Sequence, residues 1–312
     1  MDIEYYEPDV NRLLRRGIVV VDKPPGPSSH EVSSWVKVIL ERKRAGHSGT
    51  LDPLVTGVLP VGLDKATKVL PFLTKKKKEY VGVMRFSQPV TEEQVEEYFS
   101  AFRGWIDQLP PRKSAVKRRV RKRYVYRFDL VEIHDNRKDV LFDVECQAGT
   151  YIRALVRDIS YKFNVRVRLT ELRRIAVGHI RETEAHNLQR ITDAYILWKE
   201  SGDDRLLREV VKPLDVMLDL PRVYVNDKVV ARLVHGSPLF IPGIYGEDRE
   251  ITEHNLKVLS GLDRDDTVGV YDLKGELVMI GRLTIPGSTL EGKTHGELIR
   301  PVRVIMEPKP TP

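Results

Sequence analysis

An unbroken apolar run, Ile18 to Val21, ends at Pro24, Pro25 and Gly26, which predicts a buried strand closed by a turn. Directly after it, Val32, Trp35, Val36, Ile39 and Leu40 recur at helical spacing. Ser28 or Ser29 stands ready as N-cap and Gly46 lies beyond the end. The segment "GHSGTLDPLVTGVLP", 46–60, is therefore expected in a loop just after a helix. "KEYVGVMRF" alternates as a strand, and "TEEQVEEYFSAFRG" reads as a helix opened by a capping box from Thr91 to Gln94.

"YVYRFDLVEI" and "DVLFDVEC" predict an antiparallel pair joined near Asn136, leading into a helix that turns Ile152, Leu155, Val156 and Ile159 inward. Strands and helices come in uneven blocks, which favours an α+β fold with a mixed or antiparallel sheet. Near residue 216 the texture changes to short, glycine-punctuated, β-rich segments, the size and pattern of a small β-barrel domain. The expected organisation is an N-terminal arm (1–16), a catalytic domain (17–215) and a β-rich domain (216–312).

With 312 residues, 41% apolar and 31% charged, the chain supports two cores. One cysteine, Cys146, excludes an internal disulfide and a multi-cysteine zinc site, and the eight histidines show no metal-ligand spacing. No metal or other cofactor is expected. The polar N-terminus and the lack of a long apolar run predict a cytoplasmic protein without membrane contact.

Charge separates the two parts. Residues 216–312 hold 12 Lys+Arg against 14 Asp+Glu, leaving 40 against 31 before them. The stretch 112–127, "RKSAVKRRVRKRYVYR", carries nine basic residues, Lys117, Arg118 and Arg119 among them, and no acid. An unrelieved basic block points to a polyanion, here nucleic acid. The run Lys75 to Lys78 reads more simply as solvent-facing.

Individually, the candidate residues have plain readings. Asp52 precedes a proline, a common turn arrangement. Arg153 is a surface arginine in the first turn of a helix, and Tyr80 fills a core or stacks on a base. His47 hydrogen-bonds its loop, and Asp22 and Lys23 pin a turn.

Together they change meaning. "DKPPGPSSHEV", "AGHSGTLDPLVTGVLPVGLDKATK", "KKEYVGVM", "PPRKSAVKRR", "CQAGTYIRALVRDI" and "LTELRRIAVG" resemble, in order, the motifs of the TruB-type pseudouridine synthases, most closely their archaeal dyskerin-type branch. The C-terminal part is similar to a PUA domain, an RNA-binding fold, in "NDKVVARLVHGSPLFIPGI". The resemblance implies an enzyme that converts uridine to pseudouridine in ribosomal and transfer RNA, with Asp52 as nucleophile. It implies that Arg153 is the cation beside that carboxylate, that Tyr80 stacks on the target base and that Leu172 is an apolar wall. His47 would fill the space of the flipped uridine, while Lys23 and Lys117 would meet phosphates or support the pocket.

The same resemblance implies a box H/ACA guide RNA paired with the target. It also implies two small accessory proteins, Nop10-like and Gar1-like, a kink-turn-binding ribosomal-type protein, and an archaeal cell without a nucleus. Two other readings remain open, a stand-alone transfer-RNA pseudouridine synthase and a non-catalytic RNA-binding protein in which Asp52 is only a turn.

Overall fold

The computed structural model describes residues 7–111, 117, 119–245 and 248–308. They fall into two compact units, one of Val10–Pro213 and one centred on Leu214–Pro312. The first opens with helix α1 (Val10–Arg16), strand β1 (Gly17–Lys23), helix α2 (Ser29–Ile39) and strands β2 (Ala45–His47) and β3 (Thr56–Leu63). Helix α3 (Leu70–Thr74), strand β4 (Lys78–Phe86), helix α4 (Glu92–Ser100) and strand β5 (Gly104–Gln108) follow. Next come β6 (Arg121–Ile133), β7 (Asp139–Cys146), helix α5 (Ile152–Phe163), β8 (Val167–Val177) and β9 (Ile180–Arg181). Helices α6 (Leu188–Ser201) and α7 (Arg205–Val210) and strand β10 (Val211–Pro213) close the unit.

These strands form one sheet in the order β10-β1-β3-β8-β4-β7-β6-β5, with β2 beside β3 and β9 beside β8. Every pairing is antiparallel except that of β3 with β8, where Thr56 and Gly57 lie opposite Arg173 and Arg174. That short parallel seam joins two halves with separate cores. Val19, Val32, Val36, Leu59 and Ile191 fill one. Phe99, Phe128, Phe142, Leu155 and Ile159 fill the other. At the seam Gly57 has φ of +97°, and a Cβ there would sit 2.2 Å from the Arg174 carbonyl oxygen, so only glycine lets the strands meet.

Local signals act as their chemistry requires. Ser28 caps α2 in a reciprocal box with Glu31, and Thr91 does the same for α4 with Gln94. The β6–β7 hairpin turns at Asn136, whose Oδ1 accepts from the amides of Lys138 and Asp139. Helix α5 buries Ile152, Leu155, Val156 and Ile159.

Three expectations fail, and one element was not foreseen. Helix α2 stops at Ile39, because Glu41 enters the left-handed region at φ of 51°, so Gly46 lies within β2 and a strand intervenes before Asp52. Trp35, expected on the apolar face of α2, is exposed. Lys78, expected in solvent, is buried. The segment "LTELRRIAV" is the central strand β8, which its mixed arginine and apolar pattern concealed.

The second unit contains α8 (Leu214–Leu218), β11 (Arg222–Val225), α9 (Asp227–Leu233), β12 (Leu239–Phe240) and α10 (Arg249–Ser260). Strands β13 (Thr267–Asp272), β14 (Leu277–Leu283) and β15 (Glu297–Val304) complete a five-stranded sheet ordered β11-β13-β14-β15-β12. Val223, Val268, Val270, Val278, Leu298 and Ile299 pack its core. Helices α9 and α10 interrupt what read as a run of short β-rich segments. Asn226 caps α9, and in α10 Ile251, Asn255 and Leu259 recur every fourth residue on the buried side. Asn255 is fully buried and satisfied, accepting from the Tyr224 amide at 2.8 Å and donating to the Tyr224 and Ile244 carbonyls.

Candidate active site

The loop from Ser48 to Val55, ahead of β3, is held through backbone groups of Ser48, Gly49, Leu51, Asp52, Pro53 and Val55. The Val55 amide donates to the Asp52 carbonyl at 3.0 Å, closing a turn with Pro53 at its second position. Ser29, the first residue of α2, clasps Leu51 from both sides. Its Oγ accepts from the Leu51 amide at 2.8 Å and donates to the Leu51 carbonyl at 2.9 Å. Gly49 has φ of +75°, and its carbonyl accepts from Arg174 Nη2 at 2.9 Å. Such a loop has little freedom left to lose when a ligand arrives.

Lys23 is 0% exposed, and its Nζ donates to the carbonyls of Pro24, Pro53 and Val55 at 2.8–2.9 Å. Burial lowers its pKa, and the nearby Asp52 charge opposes that shift. All three ammonium hydrogens are engaged within the protein, the arrangement expected of a lysine that pins the turn and supports the pocket and not of one that meets a phosphate. It supports the turn instead. Beside it, Asp22 pairs with Arg173 of β8 at 2.8 Å.

The Asp52 side chain, 44% exposed, meets Arg153 Nη2 at 2.9 Å. Helix α5 supplies that arginine because Ile152, Ala154 and Leu155 are drawn inward and leave position 153 on the open side. Buried Gln108 holds the start of α5, donating to the Tyr151 carbonyl at 3.0 Å and accepting from its amide at 2.8 Å.

Tyr80 lies on β4 in register with Arg174 and packs in the same cluster as Leu51 and Val55. Burial raises its hydroxyl pKa, which Arg174 counteracts. Leu172, opposite Gly82, is half-buried against this cluster. His47, on β2, lies within 3.5 Å of Ser33 Oγ and 3.3 Å of Thr50 Oγ1. Burial lowers its pKa, with His30 and Arg174 adding to the effect, which favours the neutral ring. Its expected partner was the loop backbone; its actual partners are hydroxyls.

Lys117 and Arg119 are exposed, and Arg118 lies outside the described residues. Arg127, at the end of the basic block, is not free to meet a polyanion. It pairs with Glu79 at 2.5 Å and with Asp129 and Asp143 at 3.2 Å.

The sequence reading missed Arg174 and Lys78. Lys78 Nζ donates to the carbonyls of Leu73, Thr74 and Lys76, and burial beside Arg174 pushes its pKa down to about 8. A signal for Arg174 existed, because adjacent arginines in a strand point to opposite faces and one of them must face inward.

Comparison with known proteins returns consistent relatives. Residues 37–90 and 85–152 match the TruB family pseudouridylate synthase N-terminal domain, and 153–219 match the tRNA pseudouridylate synthase B C-terminal domain. Residues 221–305 match the PUA domain and 6–33 the DKCLD domain. A probable tRNA pseudouridine synthase B of Methanocaldococcus jannaschii is 42% identical over 97% of this chain and 86% of its own length. Its counterpart in Archaeoglobus fulgidus is 41% identical over 96% and 88%.

Two solved structures overlay nearly the whole chain. A chain of a Cbf5-Nop10-Gar1 complex superposes with a TM-score of 0.86 at 37% identity, covering 98% of this chain and 91% of that one. One from an H/ACA ribonucleoprotein bound to a substrate RNA containing 2'-deoxyuridine gives 0.83 at 36%, covering 96% and 88%.

Proposed function

From the premise that the chain belongs to the TruB family of pseudouridine synthases, which isomerise uridine in RNA, we propose that it acts on ribosomal RNA under a box H/ACA guide. Its partners in this reading are the guide, the target RNA, Nop10-like and Gar1-like proteins and a kink-turn-binding ribosomal-type protein. Support comes from its likeness to chains in a Cbf5-Nop10-Gar1 complex and in a substrate-bound H/ACA ribonucleoprotein. The relatives named tRNA pseudouridine synthase B favour a second reading, in which transfer RNA is modified without a guide.

Isomerisation breaks the N1–C1′ bond, turns the uracil and joins C5 to C1′, while the C5 proton leaves and N1 gains one. No atom is lost and no electron is exchanged, so a well-placed nucleophile or base suffices. The observation that carries the assignment is the 2.9 Å contact between Asp52 and Arg153, which unites "GTLDP" with "GTYIRALVRD".

Asp52 is the reagent in this proposal, whether it attacks C1′, attacks C6 or takes the 2′ proton. Arg153 directs the carboxylate. Tyr80 stacks on the extruded base against Leu172, and His47 fills the place the uridine leaves. Lys117, Arg118 and Arg119 meet phosphates. A purely RNA-binding role would leave the Asp52–Arg153 pair without a task.

The test is Asp52→Asn, assayed on a target RNA with its matched guide and accessory proteins, and again without the guide. The expected result is unchanged RNA affinity and a rate at least ~10³-fold lower. Near-normal pseudouridine formation by the variant would overturn the assignment. Equal modification of that target by the unaltered protein without guide would replace the guided reading with the stand-alone one.

A further inference from the structure

Arg174 stands on β8 at the seam of the sheet and is 1% exposed, the bulkiest fully buried side chain among the described residues. A guanidinium keeps its charge across the physiological range, so a site this dry is costly unless its donors are all engaged. Its hydrogen bonds reach two separate elements, and in register it lies opposite Tyr80 on a third, β4. Nε donates to the Val58 carbonyl on β3 at 2.8 Å, and Nη2 to the Gly49 carbonyl in the Asp52 loop at 2.9 Å. The group also interacts with the Tyr80 hydroxyl on β4. Its Nη1 lies beneath Gly49, where a Cβ would come within 3.3 Å of it.

We infer that Arg174 is a positioning residue for the isomerisation, one rigid plane that sets the spacing between the Asp52 loop and the Tyr80 ring. The inference rests on the roles given above to Asp52 and Tyr80. Its physical basis is the planar fork of the guanidinium, which presents five donors in fixed directions and thereby ties its acceptors to one another. Lysine donates from one nitrogen, so it can meet several acceptors only where they converge on a point, as around Lys23 and Lys78. It cannot hold acceptors on separate elements at the fixed spacing of a planar fork. A purely apolar residue would fill the volume and leave the Gly49 and Val58 carbonyls without these donors. Displacement of reacting groups by about 1 Å can cost a hundredfold in rate, so the guanidinium contributes to catalysis without touching substrate.

The experiment compares Arg174→Met and Arg174→Lys in the full chain, each with and without Tyr80→Phe, under single-turnover conditions at saturating target RNA with guide and accessory proteins. Asp52→Asn runs alongside. Expected for Arg174→Lys are cooperative melting, RNA affinity within about twofold of normal and a rate about 10²-fold lower. Removing the Tyr80 hydroxyl should then cost less in the Arg174→Lys background than in the unaltered protein, since the link is already broken.

A merely structural role predicts lower melting temperature with additive rate effects, and additivity overturns the inference. So does a folded Arg174 variant working at the normal rate. If neither variant folds, Arg174 is a folding residue and the inference falls. Failure of the underlying assignment is seen separately, as activity retained by Asp52→Asn.

Discussion

Asp52 is a turn residue and a candidate reagent at once, and the two descriptions support each other. Its carbonyl closes a turn on Val55, Pro53 limits the backbone, and the carboxylate is left to meet Arg153. The buried lysines show how far a residue's role depends on place. Lys23 and Lys78 each saturate three carbonyls, and neither offers a proton to RNA. For Lys78 this has a consequence for pH. Its pKa falls from the ordinary 10.5 to about 8. Between those values the unfolded chain holds a proton that the folded chain has released, so stability rises with pH, by at most about 1.4 kcal/mol per unit. Below pH 8 the full cost of burying the charge is present. Denaturant unfolding of the unaltered protein and of Lys78→Met at pH 7.5 and 9.5 isolates this contribution. The difference between them should shift in favour of the unaltered protein at the higher pH, and a constant difference would show that Lys78 titrates normally.

At the scale of elements, α2 connects fold to site. Its capping box fixes where the helix begins, and therefore where Ser29 stands to clasp Leu51. Replacing Ser29 by alanine leaves a buried amide and a buried carbonyl unpaired, a loss of about 1–3 kcal/mol. The predicted outcome is a lower melting temperature together with a reduced rate at saturating RNA and little change in RNA affinity. Loss of stability with an unchanged rate would mean that the Asp52 turn keeps its geometry without the clasp. Strand β8 matters equally, since its adjacent arginines divide the work. Arg173 pairs outward with Asp22 and Glu182, and Arg174 reaches inward to the Asp52 loop.

Across the whole molecule, charge is distributed by task. The 112–127 block is basic in sequence, yet Arg127 is spent on Glu79, Asp129 and Asp143, while Lys117 and Arg119 remain exposed. RNA affinity should therefore fall with salt, at a slope of roughly 0.7–0.9 per phosphate contact. Replacing Lys117, Arg118 and Arg119 with alanine should flatten that slope by up to about three contacts. Replacing Arg127 should leave it nearly unaltered. Filter-binding titrations from low to moderate salt would decide, and an equal effect of Arg127 would show that its carboxylate partners release it to the RNA.

Much of this was legible in the sequence because it is local. The caps of α2 and α4, the hairpin at Asn136 and the inward face of α5 follow from spacing and turn chemistry over a few residues. The resemblance of the ordered motifs to the TruB-type enzymes also came from sequence alone. Decisions that depend on distant partners did not. Which arginine of β8 turns inward is set by the packing of segments far apart in the chain, since Arg174 donates to the carbonyls of Val58 and Gly49. The Arg174 guanidinium can be buried only where remote carbonyls converge to receive it, and that convergence exists only once β3 and β8 lie side by side.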